Sequence, residues 1–256
     1  MDHALQVEQL EKNSRLIIRD DHYDLPVLAD LLETAARRKV KVILLDTGRF
    51  ACEEFERLAD FPFNLYTSDR ARKDFQQLNQ IFLRVEPAGC KLFYFLHGEL
   101  ENSQELGAGA EIFSSIYVSS REKPRSLEML AALAAEISRQ DCNLVYYHHG
   151  KLEENLAEIG QKNCWVHISS KYFNEEDEIL LLDMLKTFRK NRGRLVAHIE
   201  RPVSSYLLKL LEKNGAFLVF NLPLLESGSE VSRLAKTWER KKLPEKAFYL
   251  YKEVMA

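Results

Sequence analysis

Glycine is scarce in this sequence. Ten glycines in 256 residues make about 4%, against a usual share of roughly 7%. Backbone that wraps a phosphate or a cofactor needs glycine at its turns. Neither G-x-x-x-x-G-K-[ST] nor G-x-G-x-x-G occurs, which excludes a P-loop and a dinucleotide fingerprint. Cysteine is sparse too. Cys52, Cys90, Cys142 and Cys164 lie far apart with no C-x-x-C pair, so they read as reduced, buried thiols of a cytosolic protein. No apolar run approaches the length of about 18 residues that a transmembrane helix needs. Met1–Asn13 has no basic start followed by an apolar stretch, so no signal peptide is expected. Neither sign of charge dominates: 36 Lys and Arg face 39 Asp and Glu, for a net charge of -3. That balance carries no electrostatic footprint for nucleic acid.

What is present is core. Hydrophobic residues make 46% and charged residues 29%, a composition that folds rather than staying disordered. Short apolar runs recur: Arg15–Arg19, Val40–Leu45, Phe63–Thr67, Lys91–Leu96, Ser115–Ser119, Asn143–Tyr147, Cys164–Ile168, Arg194–Ile199 and Ala216–Asn221, with a tenth candidate at Ala247–Tyr251. They are rich in Val, Ile, Tyr and Phe, and several are apolar on both faces, as buried parallel strands are. Segments of helical periodicity lie between them. Leu25–Lys39 places Leu28, Leu31, Leu32 and Ala35 on one face, and Leu127–Arg139 and Ile179–Asn191 follow the same pattern. Asn174, with Asp177 and Glu178, predicts a capped helix start. Gly89, Gly193 and Gly215 each precede a strand, where a left-handed residue ends a helix.

The spacing has a second period. Strand starts at 40, 63, 91, 115, 143, 164, 194 and 216 alternate short and long steps, so the unit repeats at about 50 residues. One class of strand end reads Leu45-Asp46-Thr47-Gly48, Leu96-His97-Gly98 and His148-His149-Gly150. The other ends in Thr67-Ser68-Asp69, Ser119-Ser120-Arg121 and Ser169-Ser170-Lys171. Duplication and convergence on α/β geometry both produce such a pattern.

The alternation predicts an α/β fold. The favoured architecture is a pair of doubly wound, Rossmann-like parallel sheets, residues 1–141 and 142–256, packed closely because no Pro- or Gly-rich linker separates them. The alternative is a single (β/α)8-like barrel, which must accommodate a ninth strand.

The first half resembles a response-regulator receiver domain in its order of elements. Leu16-Ile17-Ile18-Arg19-Asp20-Asp21-His22 looks like the first strand with its acidic pair, and Asn64-Leu65-Tyr66-Thr67-Ser68-Asp69 like the strand that ends at the phosphoacceptor. Gly107-Ala108-Gly109-Ala110 before Ile116-Tyr117-Val118 is similar to the approach to the fifth strand. The pattern departs at Leu96-His97, where the family has Thr or Ser, and at Ser119-Ser120, where it has a lysine followed by proline; Lys123-Pro124 comes too late. The second half, through Thr187–Gly193 and Leu210–Ala216, resembles degenerate receiver-like modules of bacterial cellulose-secretion regulators, the family called BcsE. That family's R-x-G-D motif for cyclic di-GMP is absent. The resemblance implies a degenerate receiver, since an aspartyl phosphate needs Mg²⁺ and a cation to hold it.

Several side chains carry chemical alternatives. Asp20, Asp21 and Asp69 form a candidate acidic pocket for Mg²⁺; as plain helix caps they would start the helix near Leu25 and the one after Asp69. His97, His148, His149, His167 and His198 stand at C-terminal strand ends, where both architectures bind ligands. With Asp46 and Glu200 they outline a metal-hydrolase constellation, His97, His149, His167 and His198 holding zinc or manganese, although no H-x-H or H-E-x-x-H spacing supports it. His149-Gly150-Lys151 matches the H-x-K start of the phospholipase D motif, but Leu156 stands where its aspartate belongs. Arg240-Lys241-Lys242 is a basic run that fits an acidic partner, a membrane surface or a solvated helix end.

The sequence-based expectation is a non-catalytic, cytoplasmic bacterial regulator or scaffold that needs no cofactor. It acts by protein–protein contact, as a monomer or a homo-oligomer, without nucleic acid or membrane insertion. The alternative is an α/β-barrel metal-dependent hydrolase that uses the strand-end histidines.

Overall fold

The computed structural model describes residues 15–98 and 103–220. Nine strands form one sheet in the order of the chain. They are β1 (Arg15–Arg19), β2 (Lys41–Leu45), β3 (Asn64–Ser68), β4 (Lys91–Leu96), β5 (Phe113–Ser119), β6 (Asn143–Tyr147), β7 (Cys164–Ser169), β8 (Arg194–Ile199) and β9 (Phe217–Phe220). The pairings β1–β2, β2–β3, β3–β4, β6–β7, β7–β8 and β8–β9 are all parallel. The α/β class and the parallel sheet are as the apolar runs predict. The order is the successive winding of the barrel alternative; no reversal of strand order, the mark of a doubly wound sheet, occurs among the nine. The tenth strand candidate and Arg240–Lys242 lie outside the described residues.

Two compact units divide the chain: residues 1–98 with 112–116, and residues 99–111 with 117–256. The boundary at 141/142 expected from sequence falls inside the second unit, in the turn before β6. Among the described residues no helix is long and apolar enough to cross a membrane, and all four cysteines are buried and free.

The alternating spacing has a physical cause. Each odd strand up to β7 leads to the next even strand through a full helix: α1 (Leu25–Arg38), α2 (Phe75–Val85), α4 (Leu127–Ile137) and α5 (Glu178–Asn191). Even strands return to odd ones through shorter structure. The link is the 3-10 segment Cys52–Arg57 after β2, the short α3 (Ser103–Ala108) with the 3-10 turn Ala110–Ile112 after β4, and the 3-10 segment Glu154–Ile159 after β6. A helix α6 (Ser205–Lys213) precedes β9. The repeat is therefore a strand–helix–strand pair plus a tight return, as right-handed crossover connections allow.

The helices bury one stripe each. α1 buries Leu28, Leu31, Leu32 and Ala35, and α5 buries Leu181, Met184, Leu185 and Phe188. Strands β6 and β7 are buried at every position, as a parallel sheet covered on its faces requires. Asn174 accepts from Glu176 N, and Asp177 answers with a bond from Asn174 N, so the predicted cap is present.

Gly89 and Gly215 adopt the left-handed conformation expected of them, at φ 78° and 96°. Position 193 departs from that expectation. Arg192 takes the left-handed turn at φ 64°, and Gly193 is needed for a different reason. A Cβ there would stand 2.4 Å from the carbonyl oxygen of Gly160, a backbone atom that cannot swing away.

This contrast is testable by thermal or urea unfolding. Gly193→Ala should cost about 3 kcal/mol or more, because overpacking against backbone has no cheap relief. Gly89→Ala has nothing within 4 Å of its Cβ and should cost only the roughly 1–2 kcal/mol of the left-handed conformation.

Candidate active site at the C-terminal strand ends

The residue that follows each of β1, β3, β5 and β7 acts as a staple. After β1, Asp20 Oδ1 accepts from the backbone N–H of Thr47 at 3.0 Å and from its hydroxyl at 2.7 Å. Following β3, Asp69 Oδ1 accepts from His97 N at 3.0 Å and Oδ2 from Gly98 N. At the end of β5, Ser120 Oγ accepts from His149 N at 2.7 Å. Beyond β7, Ser170 Oγ accepts from the N–H groups of Glu200 and Arg201, both at 3.0 Å. In every case the acceptor sits at an odd strand end and the amides open the loop after the next even strand. The two classes of strand end seen in the sequence are the two halves of this one interaction. It satisfies loop amides that would otherwise cost free energy where water is excluded.

The staple corrects the capping expectation for the acidic residues. α1 starts after Asp24, which makes no side-chain cap bond, and α2 is capped by Asp74 through Gln76 N. Asp20 and Asp69 hold neighbouring loops, and exposed Asp21 pairs with Arg19 at 2.8 Å. The three aspartates thus face different partners.

The first unit closes around an ion pair that the sequence did not single out. Asp46, directly after β2, takes Arg72 in a two-pronged contact, Nη2 to Oδ1 at 2.9 Å and Nε to Oδ2 at 3.0 Å. Their side chains are 0% and 7% exposed. Thr67 Oγ1 and Gly48 N also donate to Asp46, and Arg72 donates to Phe50 O. Every charge is answered, as a buried pair requires. Asp20, fully buried beside Asp46, is different. Its Oδ2 has no hydrogen-bond partner, and burial pushes its carboxyl above the usual range against the opposing Thr47 hydroxyl. Only the spacing of Asp46 and Arg72 was visible in sequence, with nothing to mark them as partners.

The second unit gathers the histidines. His148 is a brace: Nε2 donates to Lys151 O at 2.8 Å, which leaves Nδ1 to accept from Tyr146 Oη at 3.1 Å. His167, buried, stacks on Tyr147 with ring centroids 4.2 Å apart, and its Nδ1 shares a 2.8 Å hydrogen bond with His198 Nε2. His149 is half-buried, and its ring meets Tyr172 edge-on at 6.5 Å. Burial lowers its affinity for a proton, Arg121, His148 and Lys171 lower it further, and Glu200 opposes them. Glu200 receives the Ser169 hydroxyl at 2.5 Å and lies 3.4 Å from Lys171 Nζ. Burial works against its ionisation, yet Ser169, Lys171 and His198 hold the carboxyl below the usual range.

These contacts decide how the proposed metal ligands are used. His97 belongs to the first unit, while His149, His167 and His198 belong to the second. His167 and His198 spend a ring nitrogen on each other. Among the described residues no three of His, Cys, Asp and Glu come together as a metal site requires. As placed among the described residues, these four histidines do not form a zinc or manganese donor set. Arg121 and Lys171, both exposed, are candidates that no sequence motif marks, because isolated surface cations carry no spacing signature.

The two stapling aspartates should respond oppositely to amide substitution. A raised folded-state pKa means that the Asp20 carboxyl favours folding while protonated and loses that contribution as pH rises through it. Asp20→Asn keeps the acceptor for Thr47 and removes the buried charge, so at pH 7 it should match wild type or exceed it by about 1 kcal/mol, the difference narrowing as pH falls toward about 4. Asp69→Asn sets an NH2 group against a backbone N–H and should cost about 1–3 kcal/mol. Urea denaturation across pH measures both.

Comparison with known proteins returned no matching family model and no matching curated protein. A solved structure it did return is the Bacillus subtilis YkuI protein, with an EAL domain, in complex with substrate c-di-GMP and calcium. It is 14% identical, with a TM-score of 0.33, over 86% of this chain and 48% of that one. The expectation of a non-catalytic, receiver-like regulator is corrected at this point. The strands are wound in succession, without the reversal of order that a doubly wound, receiver-like sheet has.

Proposed function

We propose that the chain is a hydrolase-type α/β enzyme whose reactive centre is the C-terminal strand edge of residues 117–220, with His149 as general base. The observation that supports this reading is the state and setting of His149. Its backbone is pinned by Ser120, and its imidazole is half-buried and biased toward the neutral form. It stands beside an ionised Glu200 that Ser169 and Lys171 hold in place. A neutral imidazole at neutral pH accepts a proton, and a base with a pKa near or below working pH is the one catalysis needs.

The chemistry closes without a metal. His149 takes a proton from a water molecule as the water oxygen bonds to the electrophilic centre. The bond to the leaving group breaks, and the imidazolium returns the proton to it. Glu200 stabilises the transient imidazolium. Among the described residues no metal ligand set forms, so the hydrolase reading is carried here by the chain's own side chains.

Hydrolysis of p-nitrophenyl acetate and bis-p-nitrophenyl phosphate tests the reading. His149→Gln, folded by circular dichroism, should lower kcat by about 10²–10⁴-fold. The acid limb of kcat/KM should lie below the ordinary histidine value of about 6.5. It should move upward in Arg121→Gln, which removes a lowering charge, and downward in Glu200→Gln, which removes the raising one. Dialysis against EDTA should leave turnover unchanged. Absence of turnover on both substrates, or turnover indifferent to His149→Gln, would overturn it.

A further inference from the structure

The stapling positions differ between the two units in one chemical respect. In the first unit they are aspartates, Asp20 and Asp69; in the second they are serines, Ser120 and Ser170, which accept equivalent amide hydrogen bonds. The geometry is conserved while the charge is removed. The loop starts follow the same division. Over the first four residues after each of β1–β3 there are four carboxylates and three cations; after each of β5–β8 there are five cations and two carboxylates. In a chain of net charge -3, the second unit's strand edge is locally basic.

That charge converges. β5 to β8 are successive neighbours in the sheet; Ser120 Oγ holds His149 N at 2.7 Å with Arg121 next in the chain, and Lys171 Nζ lies 3.4 Å from Glu200, so the charges of all three bear on the His149 ring. Arg121 and Lys171 are exposed. Glu200 is fixed from its other oxygen by Ser169, while its contact with Lys171 is long, 3.4 Å, and Lys171 is 55% exposed. A lysine held so loosely can turn to an arriving anion without losing a good ion pair.

We infer that this edge is an oxyanion site for a phosphate group, with Arg121 and Lys171 as its cations and Glu200 as the internal competitor for Lys171. It rests on the catalytic reading only in sharing His149 as a neighbour, and it names the substrate class: a phosphorylated small molecule. Two cations from separate loops match the two charges of a phosphate monoester, and a planar guanidinium engages two of its oxygens at once. Serine at positions 120 and 170 is part of the device, because an aspartate staple there would repel the ligand.

The test is a titration of the full chain with inorganic phosphate at constant ionic strength, followed by NMR of the His149 ring signal and by calorimetry. Saturable binding is expected. Arg121→Gln and Lys171→Gln should each weaken it about tenfold or more, about 1.4 kcal/mol. Glu200→Gln should tighten it by freeing Lys171, and Ser120→Asp, with folding verified by thermal melting, should weaken it by adding the missing charge. Acetate should bind much more weakly. No saturable response, a response equalled by acetate or chloride, or binding untouched by both cation variants would overturn the inference. His149→Gln separates the two readings. If it keeps phosphate binding and loses turnover, both stand. Phosphate binding with turnover intact sinks only the catalytic one, and lost turnover in a protein that never bound phosphate sinks only this one.

Discussion

A single hydrogen-bonding device organises the C-terminal edge of this fold: a short side chain just past an odd strand accepts the first amides past the next even strand. Parallel strands joined by helices leave their loop starts without a ladder partner. The stapling acceptor supplies one, and in doing so sets the direction in which each even-strand loop departs. His149, Glu200 and Arg201 stand where they do because Ser120 and Ser170 grip their backbones. Gly98 is constrained the same way, since a Cβ there would stand 2.8 Å from Asp69 Oδ2.

The choice of acceptor divides the molecule into two electrostatic regimes. The first unit staples with carboxylates and encloses a further one, Asp46, answered in full by Arg72. That network looks inward, and its buried ion pair speaks for specificity of arrangement more than for stability. Hydroxyls staple the second unit, leaving histidines and cations at its edge with one firmly held carboxylate. One geometric solution thus encloses carboxylates in one half and leaves histidines and cations at the edge of the other.

The histidines show why strand-end position alone misleads. All five fall at even or odd strand ends, as the sequence indicates, yet their partners make them dissimilar. His148 is spent on Tyr146 and Lys151, and His167 on His198 and Tyr147. His149 combines partial burial with a charged setting that favours its neutral form. Periodicity reports which face a residue occupies; it says nothing of the acceptor one strand away.

By itself the sequence determined the strands and their class. A run such as Val42–Leu45 is apolar on both faces, a local property that suits a covered parallel sheet. The two-strand repeat was legible as well, because helix and 3-10 returns differ in length. Tertiary structure alone decided the order of the strands, the pairing of Asp46 with Arg72 across 26 residues, and the meeting of Arg121, His149, Lys171 and Glu200. Each of these depends on which loops a winding brings side by side. Residues far apart in the chain carry no local signal of that adjacency, since the hydrogen bonds and charges that bind them act through space.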